Sequence, residues 1–167
     1  VFRVLIGLGS NRGERWRYLR KAAHFLTRIL HHVRFSPLYE TPPWGYTRQP
    51  AFLNAVAVGE THLTPHVLLS VLRAFERRYR RPGFRWGPRE LDLDLLLVDQ
   101  QVVHHPDLSL PHPWLHRRGF VLLPAGDVAP HWIHPLLHRS IDHLRQEWIR
   151  NHPGELAGYR KIPASLL

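Results

Sequence analysis

The spacing of apolar positions changes repeatedly along the chain, and each change marks an element. Phe2 to Leu8 reads as a buried strand, and Gly9-Ser10-Asn11-Arg12-Gly13 reads as a tight turn after it. Trp16, Leu19, Ala23, Leu26 and Leu30 then recur at helical spacing. Val33 to Glu40 predicts a second strand. Thr41-Pro42-Pro43-Trp44-Gly45-Tyr46 cannot continue it, because neither proline can donate to a ladder, so a long structured loop is expected. Phe52 to Gly59 returns as a strand. Thr64-Pro65 supplies an N-cap with proline at the first helical position, opening a helix through Leu68, Leu72 and Phe75. Arg77 to Pro88 is a basic loop, and Leu91 to Val98 is a strand of alternating and finally continuous apolar character.

The resulting order, β-α-β-β-α-β, is that of ferredoxin-like folds. The expected class is therefore α+β: an antiparallel sheet with helices packed on it. Gln101 to His104 is expected to extend the sheet, and Gly119 to Leu123 and Ile141 to Ile149 to add C-terminal helices. Residues 152–167 form a tail without a readable pattern, and the chain shows neither an internal repeat nor a low-complexity segment.

Composition narrows the chemistry. With 167 residues, 44% of them hydrophobic, a single domain over 1–167 can build its own core. No apolar run reaches the roughly 20 residues of a membrane-spanning helix, and Val1 to Leu8 lacks the basic region and cleavage site of a signal peptide. The expectation is a cytoplasmic monomer with no membrane partner. Cysteine is absent, which excludes disulfides, thiol nucleophiles and cysteine metal sites. The formal charge of +10 attracts polyanions, nucleotide phosphates and nucleic acids alike. Lys21 and Lys161 are the only lysines among 23 basic residues, so part of the arginine surplus is compositional background and the charge argues little for nucleic acid.

The most informative stretch is Leu91-Asp92-Leu93-Asp94-Leu95. On a strand, both aspartates point to one face and the leucines to the other; on a helix the two would diverge by roughly 200°. Their backbones would stand about 6.6 Å apart, so their repulsion is about 2–3 kcal/mol at an effective dielectric near 20, and well under ~1 kcal/mol in water. Read alone, Asp-x-Asp fits an ordinary solvent-facing strand. Aspartate is nevertheless a poor strand former, the chain has only 13 acids, and Arg81, Arg85 and Arg89 are close in sequence. Carboxylates beside arginines suit magnesium and polyphosphate: the metal takes one or two carboxylates plus waters and phosphates, and the guanidinium groups take the remaining oxygens.

Other nucleotide signatures fail. Gly-x-x-x-x-Gly-Lys-Ser/Thr does not occur. Gly7-x-Gly9 resembles the start of a dinucleotide fingerprint, but Arg12 stands where its third glycine belongs. Gly-x-Ser-x-Gly and His-Glu-x-x-His are missing. His134 and His138 have helical spacing, yet Pro135 lies between them and no third ligand is evident, so zinc is not expected.

Arg85-Trp86-Gly87-Pro88-Arg89-Glu90-Leu91-Asp92-Leu93-Asp94 resembles the central motif of the 6-hydroxymethyl-7,8-dihydropterin pyrophosphokinase family. The likeness extends through Gly9-Ser10-Asn11, Tyr39-Glu40-Thr41-Pro42-Pro43, Gln49-Pro50, Phe52-Leu53-Asn54-Ala55, Leu110-Pro111-His112 and Arg118-Gly119-Phe120. The resemblance implies transfer of pyrophosphate from ATP to 6-hydroxymethyl-7,8-dihydropterin in folate biosynthesis, with AMP as the second product. It implies two magnesium ions on the triphosphate, held by Asp92 and Asp94. Glu76, Arg85, Trp86, Arg89, Leu95, His112 and Arg118 would meet the nucleotide, Leu95 near the adenine. Thr41, Pro42, Pro43, Trp44, Phe52, Asn54 and Phe120 would meet the pterin. Arg81 is the candidate for an arginine that closes over ATP and, with Arg89, for a catalytic role. Asp94 is the candidate proton acceptor.

Four departures from the family pattern stand out: Phe52 where tyrosine is common, Trp44 where an aliphatic residue is common, a shorter loop between Glu76 and Arg85, and Pro113 where some relatives have an aromatic beside the histidine. Strand geometry agrees with the pterin assignment in one respect: Phe52 and Asn54 share a face, so a ring and an amide would meet the same ligand. A basic RNA-binding domain with the same element order is the alternative, set against the missing aromatic strand motif of such domains and an acidic pair on the face that would meet phosphates. An inactive relative retaining the fold is a third reading.

Overall fold

The computed structural model describes residues 1–80, 83 and 87–167. Along the chain the elements are β1 (Phe2–Ser10), α1 (Arg15–Ile29), β2 (His31–Phe35), β3 (Leu38–Thr41), β4 (Phe52–Thr61), α2 (Pro65–Arg77), β5 (Asp92–Val98), β6 (Val103–His105), β7 (Leu108–Leu110), α3 (Gly119–Val128), α4 (Ile141–Asn151), α5 (Pro153–Leu156) and β8 (Arg160–Ile162). The main sheet runs β5-β1-β4-β3-β8, with β2 also paired to β4, and every pairing is antiparallel. This is the α+β arrangement expected, an antiparallel sheet with helices packed on it, here on both faces, and the predicted β-α-β-β-α-β order holds once its second strand is split into β2 and β3.

Alternation along β1 divides the core. Val4, Ile6 and Leu8 point to one side, where Leu19, Ala23 and Leu26 of α1 and Leu68 and Leu72 of α2 cover them. Leu5 points to the other, against Val121 and Leu122 of α3 and Ile141 and Leu144 of α4. Burial of such a side chain stabilises by roughly 1.5–3 kcal/mol, and the apolar stripes of α1 and α2 supply most of the reason these segments are helical. The α3–α4 layer covers only part of its face. The end of the sheet where β1 and β4 carry Gly9 and Asn54 is left open, and there the cleft forms.

Several local expectations change. The strand predicted over Val33 to Glu40 is two strands, interrupted at Ser36-Pro37. The Ser36 N–H donates to the Val56 carbonyl and the Ser36 hydroxyl accepts from the Val56 N–H, both at 2.9 Å, so a side chain substitutes for a ladder acceptor next to a proline that cannot donate. Gly9 and Ser10 belong to β1 and not to the turn. Thr64 does precede α2, but its main-chain carbonyl is its helical partner and its hydroxyl makes no cap bond. Residues 101–104 do not extend the sheet; Val103–His105 pairs with Leu108–Leu110 in a separate hairpin. The helix expected over Gly119 to Leu123 continues to Val128 with Pro124 inside it. The tail is part of the fold: Leu38, Tyr39 and Glu40 pair with Ile162, Lys161 and Arg160, and Leu166 is fully buried. No helix among the described residues is long and apolar enough to cross a membrane.

Ser36→Ala is expected to cost about 1–3 kcal/mol, because it leaves the buried Val56 N–H without its acceptor. Urea unfolding of the variant against the parent measures this, and an unchanged midpoint would remove the side chain from the ladder.

Candidate functional site

The floor of the cleft is built by register. Gly9 of β1 stands between Asp92 of β5 and Asn54 of β4, and Gly7 stands between Asp94 and Val56. Residues directly opposed in antiparallel strands point to the same face, so the two glycines open a shallow strip between the carboxylates and the amide. Farther along, Leu5 opposes Leu97 while Ile6 opposes Leu95, which leaves Leu96 as an extra residue. This bulge turns both Leu96 and Leu97 toward α3 and α4, so the strand is acidic at the cleft and apolar beyond it on the same face. The cleft has a volume of about 230 Å³. Its lining includes Arg89, Asp92, Asp94 and His112 toward β5 and Thr41, Pro42, Trp44, Phe52 and Asn54 toward β3 and β4, while Arg118 spans the two, 3.8 Å from Asp94 and packed on Trp44 and Phe120.

The carboxylates are held from several directions. Burial, reinforced by Asp94, pushes Asp92 up from 3.8 to about 6 against the opposing pull of Arg89, Arg73 and Arg118. Asp94 is also raised, chiefly by burial, with Arg118 pulling it down. Between them, both main-chain groups of Leu93 are bound by α2. The Leu93 N–H donates to Glu76 Oε2 at 2.6 Å, and the Leu93 carbonyl accepts from Arg73 Nη1 at 2.7 Å. Arg73 Nη1 also donates to Glu76 Oε1 at 2.8 Å. Glu76 and Arg73 thus act as a short substitute strand along the outer edge of β5 and fix the segment that carries both aspartates.

His112 faces the same groups. Its own N–H donates to the Leu96 carbonyl at 2.9 Å, and its Nδ1 accepts from the Trp114 N–H at 3.2 Å. Burial and the nearby Arg118 and Arg73 lower it to about 4. The ring is therefore neutral at pH 7, and with Nδ1 engaged as an acceptor the proton is on Nε2, a donor for an oxygen ligand.

On the opposite side, Asn54 Nδ2 donates to the Thr41 hydroxyl at 2.7 Å. That leaves Asn54 Oδ1 as an acceptor and the Thr41 hydroxyl as a donor, side by side. A Cβ at Gly9 would come within 2.9 Å of Asn54 Oδ1, so the amide oxygen reaches over the glycine. The loop that carries Trp44 is tied at both feet: Arg15 donates to the Ala51 carbonyl at 2.9 Å and to Glu40 at 2.8 Å. Asn11 braces it further, donating to Gln49 at 2.9 Å and the Pro50 carbonyl at 3.0 Å, while its Oδ1 accepts from the Arg89 N–H at 2.8 Å.

Most of the residues singled out from the sequence meet in this cleft, and three do not line it. Leu95 lies on the opposite face of β5, 4% exposed in the core beneath α1 and α2, because strand alternation that brings Asp92 and Asp94 to the cleft takes Leu95 away. The Leu95 side chain thus faces away from the cleft, and any contact of this residue with an adenine would fall to its main chain. Glu76 lies on that same side, with both oxygens engaged as described. Pro43 is half-buried beside the cleft lining. Arg81, Arg85 and Trp86 lie outside the described residues. Sequence reasoning missed Arg73, whose signal was its i, i+3 spacing to Glu76 on a helix, and the structural use of Gly7, Gly9 and Asn11.

Two hard-oxygen ligands on one face, with arginines beside them, fit magnesium. Magnesium commonly takes one or two carboxylates and completes its shell with water and phosphate; among the described residues no group of three or more histidines, aspartates or glutamates forms a metal cluster.

A profile of the 7,8-dihydro-6-hydroxymethylpterin-pyrophosphokinase (HPPK) family matches residues 5–130. The chain belongs to this family. The 2-amino-4-hydroxy-6-hydroxymethyldihydropteridine pyrophosphokinase of Aquifex aeolicus is 37% identical over 145 residues, covering 86% of this chain and 91% of the relative. The enzyme of the same name from Pseudomonas aeruginosa is 42% identical over 133 residues, covering 78% and 82%. The mitochondrial folate synthesis bifunctional protein of Arabidopsis thaliana is 43% identical over 147 residues, 79% of this chain but 26% of that protein. Among solved structures, wild-type Plasmodium falciparum HPPK-DHPS with pteroate aligns at a TM-score of 0.77 and 16% identity, over 96% of this chain and 46% of that one; this likeness supports the fold alone. As an HPPK, the chain is an ATP-dependent pyrophosphokinase, a transferase of folate biosynthesis. These comparisons give the RNA-binding alternative no support.

The raised Asp92 carries a stability consequence. Its folded value exceeds its unfolded one, so the stability it contributes as the acid is present below about pH 4 and lost as pH rises through about 6. Asp92→Asn is expected to raise the melting temperature of the metal-free chain above pH 6 and to leave it unchanged below pH 4. Calorimetry across that range checks it; a pH-independent difference would show that ionisation is not the cause.

Proposed function

We propose that the HPPK chemistry of this chain runs across the glycine strip, with ATP and magnesium on the Asp92–Asp94 side and 6-hydroxymethyl-7,8-dihydropterin on the Asn54 side. The observation that carries this reading is the single cleft with an acidic, arginine-flanked wall and an aromatic, amide-bearing wall. Asp92 and Asp94 hold magnesium, in two ions as the family resemblance implies; bound metal neutralises triphosphate charge. Arg89, Arg118 and the Nε2–H of His112 take phosphate oxygens, where charge-assisted hydrogen bonds are strong.

The pterin stacks on Phe52 and Phe120, beside Pro42 and Trp44. Its donor and acceptor edge meets Asn54 Oδ1 and the Thr41 hydroxyl. Orientation does much of the work: the hydroxymethyl oxygen attacks the β-phosphorus in line, the new P–O bond forms as the bond to the α-phosphate bridge breaks, and AMP leaves with the bridging oxygen. Asp94, its carboxyl pKa raised, accepts the hydroxyl proton. Arg81, Arg85 and Trp86 remain proposed nucleotide contacts from the motif. Glu76 and Arg73 act through the Leu93 main chain, supported by their hydrogen bonds to it.

Incubation with ATP, magnesium and the dihydropterin alcohol is expected to yield AMP and the pterin diphosphate in equal amounts by chromatography; ADP in place of AMP would sink the reaction class. Asp92→Ala and Asp94→Ala are each expected to reduce turnover by at least about 10³-fold while remaining folded. Near-normal rates in both would remove them as metal ligands.

Gly9→Ala tests the other wall independently. Its methyl group displaces Asn54 Oδ1, so the KM for the pterin should rise about tenfold while the KM for ATP stays within about twofold. Steady-state kinetics in both substrates decides it, and a selective effect on ATP would reverse the assignment of the two walls.

A further inference from the structure

Arg118 is held in an unusual way. It is 7% exposed, and its Nε is buried with no hydrogen-bond partner among the described residues. Its Nη1 stands 3.8 Å from Asp94 Oδ2, an ion pair too long to be a hydrogen bond. Aromatic rings surround it instead: Cζ lies 4.8 Å from the ring centroid of Trp44, 5.0 Å from that of Trp114 and 5.4 Å from that of Phe120. The Trp44 and Trp114 rings are themselves 5.0 Å apart and tilted by 50°. Ring faces attract a guanidinium without occupying its N–H groups, which stay in the plane for oxygen acceptors. A hydrogen-bonded carboxylate in the same place would consume them.

Trp44 and Phe120 line the cleft, whereas Trp114 does not, so the Trp114 ring acts on the cleft through Arg118. The Trp114 main-chain N–H is also the donor that engages His112 Nδ1. One residue therefore touches two of the groups that face the acidic wall, from behind.

We propose that Trp114 is a positioning residue for pyrophosphoryl transfer, its ring holding the Arg118 guanidinium toward the triphosphate and its N–H setting the tautomer of His112. This rests on the reading that Arg118 meets the nucleotide phosphates. Trp114 lies between the motif segments Leu110-Pro111-His112 and Arg118-Gly119-Phe120 and belongs to neither.

A double-mutant cycle with kcat/KM for ATP as its readout tests the ring. Trp114→Leu is expected to lower kcat/KM about fivefold, and Trp114→Phe, which keeps a ring face, to recover most of the loss. In an Arg118→Leu background the same Trp114→Leu change should have no further effect. Equal losses with and without Arg118, or no recovery with phenylalanine, would reduce Trp114 to ordinary packing and overturn the inference. Arg118→Leu at full efficiency would overturn the phosphate role of Arg118 itself and the inference with it, a result distinct from the first. Circular dichroism checks folding; if the leucine variant fails to fold, Trp114→Gln takes its place in the cycle with the same outcomes.

Discussion

Two carboxylates on one face of one strand repel each other and resist leaving water, and much of the molecule is arranged around that conflict. Asp92 and Asp94 cannot separate, because β5 is pinned on its inner edge by β1 and on its outer edge by the Arg73–Glu76 pair. Nor are they neutralised, since Arg118 stands off at 3.8 Å. The result is a half-buried pair whose charge is compensated at a distance, which is the state a cation and a polyphosphate would relieve. Glu76 adds to the conflict, because a third buried acid raises Asp94 further; its hydrogen bonds to Leu93 and Arg73 offset that cost by holding the strand.

The same need for room explains the other strands. Gly7 and Gly9 oppose the aspartates across β1, so the floor between the two walls is main chain. On the far side, β4 delivers Phe52 and Asn54 to the cleft by strand alternation alone. The loop between β3 and β4 then needs anchoring, and Asn11 ties it to the segment of Arg89 while Arg15 ties its two ends. One asparagine thereby couples the loop that carries Trp44 to the segment that leads into Asp92 and Asp94.

What was legible in the sequence was local. The period of Leu91 to Leu95 told which way the aspartates point, the apolar spacing located α1 and α2, and the motif residues announced the family. What was not legible depended on partners far along the chain. Ser36-Pro37 interrupts a strand only because the Val56 N–H donates to a hydroxyl in place of a carbonyl. Gly9-Ser10 carries turn composition yet stays in the sheet, because β4 pairs with both residues and β5 with Gly9. Residues 160–162 look featureless and become a strand because β3 offers a free edge. Leu95, read by resemblance as near the nucleotide, turns its side chain into the core, as its alternation with Asp94 dictates.

The glycine floor has a consequence for inhibitors of this cleft. A compound that lies against Gly7 and Gly9 contacts main chain, and the target can answer only by acquiring a side chain there. At Gly9 that side chain would collide with Asn54 Oδ1 and so damage the natural ligand's own subsite. Escape from such a compound and retention of activity are in opposition at that position.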